Sequence, residues 1–315
     1  MVHSSLPGGI AQRRTWSATK WKPPRRTGLT VGFGATVLVA AVEAALLWFL
    51  LDRSVDLGSF LLALLALLAG CLLAILGYYL YALWGLSYEI EAENLTVVWG
   101  LERHVIPLAT VGDVLTDEGV FDASTISGVN LPGCLVGKAY GDEIGQITCF
   151  ATSASPQHLL VVVTDTGAYA LSPSGRLAFL NQLNFRRASA VSGEQPVRVV
   201  LPSVATLSFW QDRVGQLTFL AALVGNAIIY AYVSFKYPDL PPLLPLHYNA
   251  FGEIDFIGAR AEAFKIPAIG SIVLSVNAIA TLLLHGRERM ATYLLAATAL
   301  LVQLILLVAT IKIVY

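Results

Sequence analysis

The chain has 315 residues, of which 56% are hydrophobic and only 13% charged, with a formal net charge of −1. Charged residues stand at about half their usual share in a soluble domain, which excludes a wholly soluble chain. The net charge hides an asymmetry: a basic N-terminus precedes an acidic segment, 85–213, whose net of −6 is a poor surface for nucleic acid, which requires clustered Lys and Arg.

Residues 1–28 carry Arg13, Arg14, Lys20, Lys22, Arg25 and Arg26 and no acid. Directly after them come two apolar runs, Leu29–Leu51 and Ser59–Leu83, in which Glu43 is the one charged residue. Such runs are long enough to cross a hydrocarbon core of roughly 30 Å at 1.5 Å per residue. The first is too long for a signal peptide and no small-residue cleavage pattern follows it. Basic residues before a first span predict a cytoplasmic tail, so 29–84 is expected to form a transmembrane hairpin returning to the cytoplasm. The tail has two expected resting places, anionic headgroups or the acidic segment that follows.

That segment, 85–213, holds seven basic against thirteen acidic residues and changes its apolar period. Tyr88 and Ile90, then Leu95, Val97 and Trp99, alternate with polar neighbours as half-buried strands do. Glu93-Asn94 and Trp99-Gly100 stand where turns would close successive hairpins. His158–Thr164 reads as a strand, Asp165-Thr166-Gly167 as a turn and Ala168–Leu171 as the return strand. Ser172 then suits an N-cap, Pro173 the first helical position, and Leu177, Phe179, Leu180 and Leu183 an apolar helix face. These elements predict a small bent sheet or open barrel closed by one amphipathic helix. Cys134 and Cys149 are expected as reduced thiols in a reducing cytosol, although neighbouring strands could bring them together. Cys71 falls inside the second run and suits a small packing residue. Gly133-Cys134-Leu135-Val136-Gly137-Lys138-Ala139 has one residue too few between its glycines, and no Ser or Thr after the lysine, to be a phosphate-binding loop.

The pattern Tyr88-x-Ile90, Leu95-x-Val97-x-x-Gly100, Ile106-Pro107-Leu108, ending in Tyr169-x-Leu171-Ser172-Pro173 and Phe179, resembles bacterial pleckstrin-homology (PH)-like domains found beside membrane spans. The likeness covers about 86–185 and implies a fold, not an activity. Phosphoinositide binding does not carry over, because it needs a basic pocket and this segment offers only Arg186 and Arg187 as a local basic pair.

Three further runs follow: Val214–Phe235, Ile266–Leu284 and Met290–Ile311. Counting spans places 236–265 outside, His285–Arg289 inside and the C-terminus outside, with 214–235 as the third span and 266–315 as the fourth and fifth. The outer loop contains Pro245-Leu246-His247-Tyr248-Asn249-Ala250-Phe251-Gly252-Glu253-Ile254-Asp255. It is similar to the Pro-x-His-aromatic-Asn-x-x-Gly-x-x-Asp signature of a bacterial membrane family that includes the Sdp-type toxin-immunity and signalling proteins. Pro245, His247, Tyr248, Asn249, Gly252 and Asp255 match it at the right spacing, while the usual basic residue is displaced to Arg260. The likeness implies a recognition loop between two spans. From the residues alone, His247 and Asp255 could also bond each other across the turn, and two such ligands are too few for a metal.

Glu43 is the ionisable group inside a span, and a charge there costs roughly 2.5–3.5 kcal/mol near the helix centre. Asn226, Asn277 and Gln303 are the candidate hydrogen-bond partners for it. No His-Glu-x-x-His, Gly-x-Ser-x-Gly or paired intramembrane acid is present, so no enzyme, metal or cofactor is expected. The reading is an α-helical integral membrane protein of five transmembrane helices with an inserted β-rich, PH-like cytoplasmic domain capped by a helix. Its expected partners are the lipid bilayer and another protein, in sensing, immunity or complex organisation. The alternative is a small transporter or ion-coupled subunit using Glu43.

Overall fold

The computed structural model describes residues 18–116, 125–141, 144–155, 157–189, 197–201, 207–249, 251 and 253–314, with backbone alone at 246–248. They divide into two compact units, 1–35 with 76–201 and 36–75 with 202–315, the division falling inside the first two helices.

Helix α1 spans Arg26–Leu51 and α2 spans Leu57–Gly85. Among the described residues, five helices are long and apolar enough to cross a membrane, these two included. The turn between them is a reciprocal cap. The backbone N–H of Ser59 donates to Asp56 Oδ1 at 2.6 Å, and that of Asp56 donates to Ser59 Oγ at 2.9 Å. This satisfies donors that would otherwise be orphaned where α2 starts.

In the first unit, two sheets face each other. One is antiparallel, in the order β1 (Thr19–Trp21), β2 (Ser87–Ile90), β3 (Asn94–Trp99), β4 (Glu102–Pro107) and β11 (Arg198–Val200). The other runs β5 (Val111–Leu115), β9 (Leu160–Thr164), β10 (Gly167–Leu171), β8 (Gly145–Ala151), β7 (Cys134–Gly141) and β6 (Ser127–Leu131), with β10 and β8 parallel. Tight turns sit where the sequence placed them, and Gly100 adopts φ +56° between β3 and β4, a conformation that favours glycine. Leu95, Val97 and Trp99 point into the core with Tyr88, Ile90 and Ile106. The second sheet is buried on both faces. Leu160, Val162, Tyr169 and Leu171 join the core between the sheets, while Val161, Ala168, Ala170, Ile147 and Cys149 form a separate apolar cluster. A sheet covered twice writes continuous apolar runs instead of alternation, as Leu160-Val161-Val162-Val163 does.

Helix α3, Arg176–Ser189, closes the core with Phe179 and Leu183, both fully buried. Two expectations fail here. The helix starts at Arg176, not after Ser172, because the Ser172 hydroxyl accepts the Thr152 N–H at 2.7 Å and is held in the core. Leu177 is 76% exposed and lies off the buried face, which runs through Phe179, Leu183 and Arg186.

The basic tail is part of this unit. β1 adds to the edge of β2 with Lys20 opposite Glu89, and their side chains form an ion pair at 2.8 Å. The Trp21 ring meets Phe179 edge-on at 5.9 Å, and Gln182 Nε2 donates to Thr19 Oγ1 at 2.7 Å. Of the two resting places, strand β1 of the tail takes the acidic segment. The first turn of α1 also abuts the β6–β7 turn. Gly28 and Gly133 approach so closely that a Cβ on either would strike the other's backbone.

In the second unit, α4 (Arg213–Lys236), α5 (Lys265–Leu284) and α6 (Arg289–Val314) pack on one another. Between α4 and α5, strands β12 (Leu243–Tyr248) and β13 (Ile254–Ala259) form a two-stranded antiparallel hairpin. A small core of Val233, Leu240, Leu244, Ala263 and Val314 anchors its base.

The buried Tyr88 phenol donates to Phe150 O at 2.6 Å and accepts from the Ser172 N–H at 3.1 Å. Tyr88→Phe orphans both backbone groups. It is expected to destabilise the β-rich unit by about 1–3 kcal/mol, read as a lower urea midpoint for the intact protein in micelles.

Candidate functional site

The signature residues gather on one hairpin. Pro245 pairs with Ile257, His247 with Phe256 and Tyr248 with Ile254, and the register shifts on either side of His247. Asp255 lies on β13 at the second shift. The turn is built by Asn249. Its Oδ1 accepts the N–H groups of Phe251 and Glu253, both at 2.9 Å, and its Nδ2 donates to Glu253 Oε2 at 3.0 Å. Side-chain carbonyls of Asn make such turns because they reach backbone donors two residues on. Gly252 and the His247 side chain lie outside the described residues, so the expected His247–Asp255 bond does too. Arg260, the displaced basic residue, stacks its guanidinium over Tyr237 at 4.9 Å, and its N–H donates to Pro242 O at 3.0 Å. It therefore closes the hairpin base. The hairpin also shows a feature that the signature did not single out: Phe251 is 91% exposed, and Ile254, Phe256 and Ile257 are exposed beside it.

The polar residues of the long apolar helices separate into two groups. Asn226 on α4 donates through Nδ2 to Pro267 O at 2.9 Å and to Gln303 Oε1 at 3.0 Å. Gln303 on α6 donates through Nε2 to Gly270 O at 2.9 Å, and the Ser271 hydroxyl donates to Asn226 Oδ1 at 2.8 Å. All three helices are thus tied by one network whose amides are almost wholly buried. Glu43 stands apart from it on α1. A Cβ at Gly70 would lie 3.7 Å from Glu43 Oε1, and Oε2 is buried with no hydrogen-bond partner among the described residues. Asn277 Nδ2 is likewise buried and unpaired. The expectation that Asn226, Asn277 and Gln303 serve Glu43 is therefore corrected, because Asn226 and Gln303 spend their amides on each other and on α5.

A further polar group escaped the sequence reading. Asp212 Oδ1 accepts the N–H groups of Val214 and Gly215, both at 3.1 Å, and caps α4. Its Oδ2 stands 3.7 Å from Nε2 of the buried His285. The Thr292 hydroxyl donates to Arg289 O at 2.6 Å, so its oxygen receives the proton of His285 Nδ1 at 3.1 Å. Asp212 directly before an apolar run was a legible cap signal. Its second partner, 73 residues on by the same numbering, was not.

In the β-rich unit the described cysteines and His104 are held in the core. Cys134 belongs to the core between the sheets and Cys149 to the cluster on the other face of the same sheet, so the two cannot pair across strands. Both are free, and burial pushes their thiols up to about 11 and about 12. His104 packs between Phe150 and Tyr169 with neither ring nitrogen hydrogen-bonded, and burial pulls its pKa down to about 4. The stretch Gly133–Ala139 that mimics a phosphate loop is the β6–β7 turn and the start of β7. Among the described residues, no three His, Cys, Asp or Glu side chains gather as a metal site.

Comparison with known proteins agrees with this geometry. Residues 86–187 match the bacterial PH domain family. An uncharacterised protein of Archaeoglobus fulgidus is 36% identical over 59 residues, which cover 19% of this chain and 32% of that one. The chain thus spans about a third of that relative's length. No solved structure matches.

Two outcomes follow from these contacts. A Cβ at Gly270 would sit 2.6 Å from both Asn226 Nδ2 and Gln303 Oε1, whereas one at Gly77 meets nothing within 4 Å. Gly270→Ala should therefore lower the melting temperature of the protein in micelles, and Gly77→Ala should leave it unchanged. His104 is neutral in the fold down to about 4 and unfolded down to 6.5. Its contribution is complete above pH 6.5 and is lost as pH falls through about 4, a total on the order of 3 kcal/mol. Glu102, held above its usual carboxylate range by burial, acts in the opposite sense at the low end. Amide exchange of β3 and β4 should accelerate over that window in wild type and less in His104→Leu.

Proposed function

We propose that this chain is a non-catalytic, multi-pass protein of the bacterial cell membrane that recognises another protein through its β12–β13 hairpin. The exposed Phe251, Ile254, Phe256 and Ile257 carry this reading. Exposed apolar side chains gathered on a short hairpin are costly in water and mark a contact site, and aromatic residues supply most of the energy of such sites. The hairpin's base is fixed by Leu244 and Arg260, so the tip is presented by a rigid stem. The likeness of Pro245, His247, Tyr248, Asn249, Gly252 and Asp255 to the Sdp-type signature supports the same assignment and points to immunity or signalling.

In this reading the basic tail sets the N-terminus and the PH-like domain in the cytoplasm, the hairpin outside, and the C-terminus outside. The domain is a docking or organising module. Its excess of acidic residues argues for a protein partner over a phosphoinositide. The alternative, a transporter or ion-coupled subunit, draws on the unpaired Oε2 of Glu43, since ionisable residues inside spans commonly mark ion paths.

Quantitative pull-down from gently solubilised native membranes separates these readings. Phe251→Ala/Phe256→Ala and His247→Ala/Asp255→Ala should each reduce recovery of a specific partner at least tenfold, with thermal stability within a few degrees of wild type. Full recovery by both folded variants would remove recognition from the hairpin. Loss of ion flux in a stably assembled Glu43→Gln variant would move the assignment to transport.

A further inference from the structure

We propose that Arg25, Arg26 and Trp84 form a binding site for the phosphate of an anionic membrane lipid at the junction of α1 and α2. A cavity of about 430 Å³ lies there, lined by Pro23, Pro24, Arg25, Arg26, Leu29 and Trp84. That volume lies within the range of small-ligand sites. The Arg25 guanidinium rests over the Trp84 ring at 5.5 Å, and this fixes the plane of the fork. Among the described residues neither Arg25 nor Arg26 makes an ion pair, whereas the nearby Lys20 is spent on Glu89. The first turn of α1 holds no acid that would compete.

Each part suits one chemistry. Planar guanidinium groups bind phosphate oxygens bidentately and carry a positive charge at any physiological pH. The two arginines precede the apolar run at Leu29, and Trp84 follows the run that ends at Leu83, so both mark the level where headgroups lie. Trp84 is 68% exposed and Leu29 forms part of the wall, which gives the cavity an apolar side for the glycerol and upper acyl chain. Two uncompensated cations beside one phosphodiester disfavour a headgroup that brings its own cation, so an anionic lipid is selected over a choline lipid. The site rests on α1 and α2 crossing the membrane and is independent of the hairpin's partner. Recovery of the chain in the membrane fraction reports the crossing separately.

The test is native mass spectrometry of the intact protein released from micelles containing equal phosphatidylglycerol and phosphatidylcholine. Wild type should retain phosphatidylglycerol preferentially. Arg25→Gln/Arg26→Gln should lose that preference about tenfold, and Arg287→Gln/Arg289→Gln should keep it. Trp84→Leu retains both charges and should fall about threefold, which guards against a double variant that fails to fold. Retention equal to wild type in the folded double variant overturns the site. Binding of soluble glycerol phosphate in phosphatidylcholine micelles, as tight as that of phosphatidylglycerol, overturns the lipid and assigns a soluble phosphate ligand instead.

Discussion

The β-rich unit depends on one hydroxyl that is removed from water yet left with nothing unpaired. Tyr88 is the first aromatic side chain after α2, and its ring fills the space between the sheets while its oxygen bonds to Phe150 O and Ser172 N. Ser172 in turn holds Thr152. Three distant segments are thereby fixed by groups that would each cost about 1–3 kcal/mol if orphaned. The arrangement also keeps the phenol protonated, since burial raises it to about 12. Around this point the aromatic rings of Trp21 and Phe179 close the side where the tail enters.

The long apolar helices follow the same rule with different materials. Asn226, Gln303 and Ser271 satisfy one another only because residue 270 has no side chain to intervene. Lipid offers no hydrogen bonds, so small residues and amides together do the work that apolar burial does in water. Glu43 breaks the rule, with an oxygen buried and unpaired.

Much of this was legible in the chain. All five apolar runs fall within helices whose ends lie within three residues of them. Hairpins β2–β3–β4 could be read because one face of that sheet meets α-helix and core while the other does not, which preserves alternation. The second sheet could not, since burial on both faces erases the period at Val161–Val163. Ser172 misled for a physical reason: the same hydroxyl that caps helices also satisfies a neighbouring strand's N–H. For the signature hairpin, Asn249 as turn-former was legible, whereas the exposure of Phe251 and Phe256 needed the fold. Partners far apart in sequence, such as Asp212 with His285 or Lys20 with Glu89, leave no local pattern at all.

The close approach of Gly28 to Gly133 has a mechanical meaning. The PH-like unit is held by β1 and the first turn of α1 at one place, and by the packing of Tyr78 and Ala82 against Gly100 at another. A globule hung from a single linker swivels freely beneath its anchor. One pinned at two points on adjoining helix ends has lost that rotation and keeps only a rocking freedom about the line joining the pins. Only the four residues Lys22–Arg25 separate strand β1 from helix α1, so the first pin has little slack.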